Sequence, residues 1–417
     1  MRVRPCIAQS GRNPRQRRLI QIVLSIWIAG SASEYAAAAS GDAVDVVVGG
    51  GVVYDSNLFR LPDSVNSRTA PGRSGKSDTV TNAYVGLRVD QPYQQQRFQL
   101  DLTETTYRYS NFSHLNYDAF DYRGAWQWQL TPKLSGTLSA EHTQTLVPFE
   151  DFVTLSQQRN VRDNDNRNFN VDWWAAGSWH LLGGISEYRQ KSELPFFAEA
   201  DFSLIDYQAG AKHQSGAGNT LTFIQHSRHG DYLNRVIDPV NVLDSSFRED
   251  ESEFRLKWKF SGHTSFDGRL GWLDRRHQNF PARDYSGLVG ELGYGWTPTG
   301  KLSFYLSAKR NIDAVVDPFS SYRINNTVSF TPAWQVNAKT RLSMRLDRIQ
   351  SDFRGPVSPL PGELRRDTLY SARLIADWTP RRNVLLSTGL QRAVRSSNTA
   401  AAEFDASIIY LRAGIKF

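Results

Sequence analysis

Apolar and polar residues alternate one by one through most of this chain. In Phe254-Arg255-Leu256-Lys257-Trp258-Lys259-Phe260 every second residue is apolar and those between are cationic, and Arg341 to Asp347 repeats the pattern. Phe98, Leu100 and Leu102 alternate with Gln99, Asp101 and Thr103; Phe266, Leu270 and Trp272 alternate with Asp267 and Arg269. A strand turns successive side chains to opposite faces, so each segment has one apolar face and one wet face. About 18 such segments are present, near 45–54, 79–90, 97–109, 118–130, 134–145, 168–179, 184–191, 202–213, 220–231, 251–260, 264–276, 286–296, 301–311, 323–335, 340–351, 367–378, 383–395 and 405–417. Their length, about 10 residues, suits strands that cross a bilayer at a tilt.

The connections predict the topology. Thr131-Pro132-Lys133, Gly262-His263, Thr297-Pro298-Thr299-Gly300 and Thr379-Pro380-Arg381-Arg382 are short, whereas 55–78, 146–167, 232–250 and 352–366 are long and polar. Short and long connections in alternation describe an all-β, up-and-down antiparallel transmembrane barrel, with tight turns on the periplasmic side and long loops outside. An even strand number returns the C-terminus to the side of the N-terminus. Segments 55–78 and 152–167 are expected to be mobile loops.

Tryptophan placement adds an independent signal. Trp126, Trp128, Trp179, Trp258, Trp296, Trp334 and Trp378 each lie within a few residues of a short turn, at the end of a strand expected to descend. Indole rings favour the headgroup level, so these seven predict an aromatic girdle at the periplasmic rim. The last strand, Ile409 to Phe417, places apolar residues at every second position back from a terminal phenylalanine. Phe417 is therefore expected to serve as the signal read by barrel-assembly machinery.

Composition enters at the N-terminus. The formal charge is +7, but residues 1–39 hold six arginines and one glutamate, which leaves about +2 for the remainder. The basic balance is thus no argument for a nucleic-acid partner. Residues 1–39 have the layout of a cleaved signal peptide, with an arginine-rich start, an apolar run from Leu19 to Ala29 and small residues at Ala36-Ala37-Ala38-Ala39. Residues 40–417 then form the outer-membrane barrel. The single cysteine, Cys6, lies in the leader, so the mature chain is expected to contain no disulfide.

Candidate chemistry is sparse. The chain has no Gly-x-Ser-x-Gly, His-Glu-x-x-His or P-loop motif. Asp163-Asn164-Asp165-Asn166 has a calcium-loop flavour but lacks the glycine and the distal glutamate, and is read as a solvated loop. His226 and His229, three apart on a strand, would face opposite ways and share no metal. No enzyme, metal or cofactor is expected. The polar face supplies the lumen candidates Asp101, Arg123, Glu141, Asp172, Arg255, Lys257, Lys259, Asp267, Arg269, Glu291, Arg345, Asp347, Arg373 and Asp377. Most are expected to form cross-strand ion-pair ladders; some could line a charge-selective constriction. Tyr188 and Tyr305 are inward aromatics able to stack on sugar rings. At about 18 strands the cylinder is wide enough for an aqueous, passive channel.

The opening Val47 to Arg60, ending Tyr54-Asp55-Ser56-Asn57-Leu58-Phe59-Arg60, resembles the Y-D-x-N-L-F-R start of EpsL-type outer-membrane proteins. Tyr122-Arg123-Gly124-Ala125-Trp126-Gln127-Trp128-Gln129-Leu130-Thr131 is similar to that family's fourth strand, and Arg162 to Trp173 is compatible with it. The resemblance implies a barrel related to porins, associated with exosortase systems and with synthesis and export of an extracellular polysaccharide. The expected partners are outer-membrane lipid, assembly machinery, the polysaccharide and other export components. The other expectations are a general diffusion porin, a barrel enzyme acting at the membrane surface, and a structural barrel with a plugged lumen.

Overall fold

The computed structural model describes residues 43–65, 75–151, 157–194, 200–240, 242–314, 320–356 and 363–417. The leader and Cys6 lie outside the described residues. The strands in order are β1 (Val44–Asp55), β2 (Asp78–Tyr93), β3 (Gln96–Tyr109), β4 (Tyr117–Thr131), β5 (Leu134–Leu146), β6 (Val161–Ala176), β7 (Trp179–Ser192), β8 (Phe202–Gln214) and β9 (Thr220–Tyr232). They continue as β10 (Ser246–Lys259), β11 (Thr264–His277), β12 (Tyr285–Trp296), β13 (Leu302–Ala314), β14 (Ser320–Asn337), β15 (Thr340–Pro356), β16 (Arg366–Arg381), β17 (Val384–Ser397) and β18 (Phe404–Lys416). Each pairs antiparallel with its sequence neighbours in one 18-stranded sheet. The sheet closes where β1 meets β18, from Val47↔Lys416 to Asp55↔Ile408. Closure leaves no strand edge to be satisfied by water. No described helix is long and apolar enough to cross a membrane; this chain crosses with strands.

The side-chain period of two sorts the wall into faces. On β10 the outward members Phe254 and Trp258 are exposed, whereas Glu249, Glu251 and Glu253 on the other face are buried. Outward apolar residues form a band along the short-turn half of the wall. On β16 it runs from Trp378 to Tyr370, eight residue steps or about 27 Å of extended chain, which at a barrel tilt matches a ~25 Å apolar belt. Above it the outward residues turn polar, as Arg248, Asp250 and Ser252 do on β10. The strands therefore continue past the membrane on the long-loop side.

Three local expectations need correction. Residues 161–167 are strand, not loop; Asp163-Asn164-Asp165-Asn166 lies inside β6 and its side chains alternate between the faces. Pairing with both neighbours satisfies that backbone, so the polar run needs no turn. Trp179 opens the ascending β7 and does not close a descending strand, because the turn falls at Gly177, which has φ +56°. The described part of 55–78 is ordered and inward-packed: Asp55, Asn57, Leu58, Phe59, Arg60 and Leu61 are all buried.

Candidate functional site: a lumen with two walls

The Tyr54–Arg60 motif builds the first closure of the lumen. Asp55 receives the Arg60 guanidinium at 2.7 and 2.9 Å and the Asn57 amide N–H at 2.9 Å. Asn57 donates to the Leu61 carbonyl at 2.8 Å and to the Asp405 carbonyl at 3.0 Å, and its side-chain oxygen accepts the Leu61 N–H at 2.9 Å. These bonds hold Arg60 in the left-handed region, φ +54°, which a non-glycine residue adopts at a cost. The turn so fixed drives Leu58, Phe59 and Leu61 into a cluster with Val53, Val80, Tyr107, Tyr109 and Ile408, inward residues of β1, β2, β3 and β18. Phe59 meets Phe112 and Phe149 edge-on at 4.6 and 4.7 Å.

A second closure comes from the β13–β14 hairpin. The β12–β13 ladder stops at Gly290↔Arg310, yet β13 and β14 remain paired up to Ala314↔Tyr322. Beyond the break Ile312, Tyr322 and Ile324 pack on Leu273, Tyr285 and Val289, which belong to the inner faces of β11 and β12. The long-loop end of this hairpin therefore leans inside the line of β12. Around the whole circumference, the described inward side chains near the long loops are buried or half-buried. Toward the short turns Arg97, Arg123, Gln127, Glu141, Lys257, Lys259, Arg341 and Arg345 are exposed. The lumen is a vestibule open at the short-turn rim.

The walls of this vestibule differ in chemistry. On β9, β10 and β11 the inner face is charged. Glu249, Glu251 and Glu253, at 5, 2 and 0% exposure, stand in a row on β10. Arg228 meets Glu251 at 2.8 Å and Glu249 at 3.5 Å; Arg269 bridges Glu251 and Glu253, Arg255 meets Glu253, and Arg275 meets Glu249. His226 and Asp206 extend the group at 2.9 Å. Burying these charges is tolerable only because each is paired and hydrogen-bonded.

On β5, β6 and β7 the inner face is largely neutral. β5 points Ser135, Thr137, Ser139, Thr143 and Thr145 inward, with Glu141 as its acid, and β6 points Asn164, Asn166, Asn168 and Asn170 inward. Asn170 donates to Asn168 at 2.7 Å, Gln208 on β8 donates to Asn170, and Tyr188 donates to Asn164 at 2.9 Å. The Asn170–Gln208 contact crosses β7 at Gly184, where a Cβ would collide with both amides. At the rim His180 and Asp172 lie 2.6 Å apart, and Lys212 also meets Asp172. The Trp174 ring lies parallel to His180 with centroids 6.3 Å apart, donates its N–H to the Gly177 carbonyl at 2.7 Å and is 41% exposed.

The register places every lumen candidate on the inner face. Asp101 pairs with Arg88 at 2.7 Å. Arg123 lies between Asp101 and Glu141 in the ladder, and Arg373 stands directly opposite Arg345. Asp347 holds Arg345 at 2.9 Å, Arg373 donates to Gln391 at 2.9 Å, and Ser387 donates to Asp377. Tyr305 donates to Asp267 at 3.0 Å, and Glu291 sits between Arg269 and Lys309. Lys257 and Lys259 project into the open vestibule. Trp126, Trp128, Trp179, Trp258, Trp296, Trp334 and Trp378 take outward positions beside short turns. Trp128 is the most covered, at 7%, because it lies over Gly136 against Phe169. Phe417 pairs its backbone with Val46 across the seam, and its ring is exposed on the outer face. His226 and His229 do point apart, and no cluster of metal-ligating side chains occurs among the described residues.

Sequence reasoning passed over the β10 glutamate row, the Asp55–Asn57–Arg60 knot, the β6 asparagine row and Trp174. On β10 the signal was masked because the outward Arg248, Asp250 and Ser252 are also polar there. The asparagine row shows its period only when residues 161–167 are read as strand.

Residues 252–417 match the family model described as "Putative beta-barrel porin 2". No curated protein matches the chain. Among solved structures the chain is similar to OpdK of Pseudomonas aeruginosa with vanillate, at 11% identity and TM-score 0.49, over 90% of this chain and 99% of that one. It is similar to OccAB3 of Acinetobacter baumannii at 8% identity and TM-score 0.48, over 91% of this chain and 100% of that one. It is also similar to OccK2 (OpdF) of Pseudomonas aeruginosa in complex with glucuronate, at 8% identity and TM-score 0.49, over 90% and 98% respectively.

Proposed function

We propose that this chain is a porin-like outer-membrane barrel that serves secretion of an extracellular polysaccharide, receiving the polymer on its periplasmic side. The observation that carries this reading is the asymmetry of the lumen: inward side chains are water-accessible at the short-turn rim and covered toward the long loops. A vestibule that faces the cell interior suits cargo arriving from within, with passage governed at the outer end. The resemblance of the Tyr54–Arg60 segment supports the same reading, because that motif is what builds the outer closure. Arrival in the membrane would depend on the leader at 1–39 and on recognition of the Phe417 strand by assembly machinery.

The test is removal of the chain from a producing bacterium. Polysaccharide should then vanish from the medium while the barrel-free outer membrane keeps its ordinary permeability to small solutes. Unchanged secretion would defeat the proposal. A general diffusion porin is the second reading, supported by the match of residues 252–417 to a porin family model. Liposome swelling separates the two: a diffusion porin admits small sugars in order of size, whereas a barrel closed at its outer end admits none at a comparable rate.

A further inference from the structure

We propose that the inner faces of β5, β6 and β7 form a binding track for a neutral glycan chain, met first by Trp174 at the short-turn rim. The inference rests on the secretion reading only for the origin of the glycan; the track itself stands on three observations.

The first is chemical. Asn164, Asn166, Asn168 and Asn170 make an unbroken row of carboxamides, flanked on β5 by Thr143, Ser139 and Thr137 and on β7 by Ser186 and Tyr188. Carboxamides and hydroxyls both donate and accept. They match sugar hydroxyls, which do the same, and Glu141, directly opposite Asn166, is the one charged side chain facing the row from β5 or β7. The second is accessibility. Every inward residue from Asp172 to Asn164 is only partly buried, whereas the inward glutamates Glu249, Glu251 and Glu253 of β10 are fully buried. The row spans about 20 Å of strand, from near the rim into the half where the β10 glutamates are buried. The third is the position of Trp174. It is a rim tryptophan turned into the vestibule, its partly exposed indole parallel to His180. A flat apolar ring with its N–H already engaged by Gly177 offers a stacking face for the C–H side of a pyranose.

Neighbouring amide bonds explain how such a track could hold without trapping. Asn170–Asn168 and Gln208–Asn170 are neutral bonds, each of which can exchange for a sugar hydroxyl at little net change.

The test uses the full barrel in nanodiscs with maltoheptaose as the neutral probe, read by titration calorimetry, and in planar bilayers with the sugar added on either side. Maltoheptaose should bind, and Trp174→Ala and the paired substitution Asn168→Leu with Asn170→Leu should each weaken binding at least tenfold. Lys257→Gln with Lys259→Gln should leave it within twofold. Blockade of bilayer current should follow addition at the short-turn side. Variants that keep heat-modifiable gel migration and bind maltoheptaose like the parent would overturn the track, as would loss of binding in the lysine pair alone. Absence of maltoheptaose binding with tight binding of an oligogalacturonate, abolished by the lysine substitutions, would assign the site to the charged wall. The secretion reading is judged separately, by polysaccharide release from the deletion strain. Release that depends on the chain but is unchanged in the Trp174→Ala strain removes the track and spares the parent reading.

Discussion

The glutamate row of β10 and the asparagine row of β6 lie on one inner surface only four strands apart, yet they solve opposite problems. Glu249, Glu251 and Glu253 are buried and locked by Arg228, Arg255, Arg269 and Arg275. Asn164, Asn166, Asn168 and Asn170 are only partly buried and bond through neutral amides. A buried charge tolerates no missing partner, so the first row rigidifies the barrel. A neutral amide trades partners freely, so the second can present itself to a ligand. A wide lumen thus divides into a structural side and a receptive side without a second domain.

Substitutions can break or sharpen this contrast. A large effect is expected from Glu253→Ala, which takes the carboxylate from Arg255 and leaves Arg269 with Glu251 alone; because both arginines keep some contact with water, the loss should approach but not exceed about 3 kcal/mol, measurable as a shift in the urea midpoint of folding into lipid vesicles. Next, Leu374→Arg inside the apolar band should cost about 2–4 kcal/mol in the same assay, while Asp250→Arg above the band should be close to neutral. Failure of that difference would misplace the membrane boundary. Asp55→Ala should remove about 2–3 kcal/mol locally by leaving Arg60 unpaired, visible as protease nicking near Leu58 and as increased single-channel conductance. Asn168→Leu should shift stability by only about 1 kcal/mol or less. Near-equality of its effect with that of Glu253→Ala would erase the distinction between the walls.

The smallest effect concerns the loop ends above β6 and β7. Arg159 hydrogen-bonds Glu193 and holds its carboxyl below the usual carboxylate range, against a smaller opposing effect of burial. A lowered acid contributes stability above its ordinary pKa and loses it as pH falls through the lowered value. Both side chains are more than a third exposed, so the clip should be worth under about 1 kcal/mol. Amide exchange at Val161, whose N–H donates to Glu193 at 3.2 Å, should accelerate as pH falls through the lowered value of that carboxyl, after correction for intrinsic rates.

Legibility followed the environment of each face. Where lipid lies outside and water inside, as along Phe254–Phe260 or Arg341–Asp347, the period of two was plain and the strands were readable. Where the strands rise past the membrane both faces become polar, and there 161–167 looked like a loop and the β10 glutamates looked like surface. Trp179 was misread by a few residues because a bulge between Trp174 and Ala176 resets the register at that turn. Ordinary alternation up to that bulge leaves Trp173 facing lipid and Trp174 facing the vestibule.

Alternation, turn lengths and aromatic placement by themselves determined the strand number, the up-and-down order, the outward girdle and which charges share the inner face. These are local consequences of a strand having two sides in two solvents. Only tertiary structure decided which inner residues are covered. Burial of Asp55 needs strands more than 300 residues apart to meet at the β1–β18 seam, and the lean of the β13–β14 hairpin needs a ladder to end at Gly290. Neither depends on a periodicity; both depend on how a closed wall fills the space it encloses.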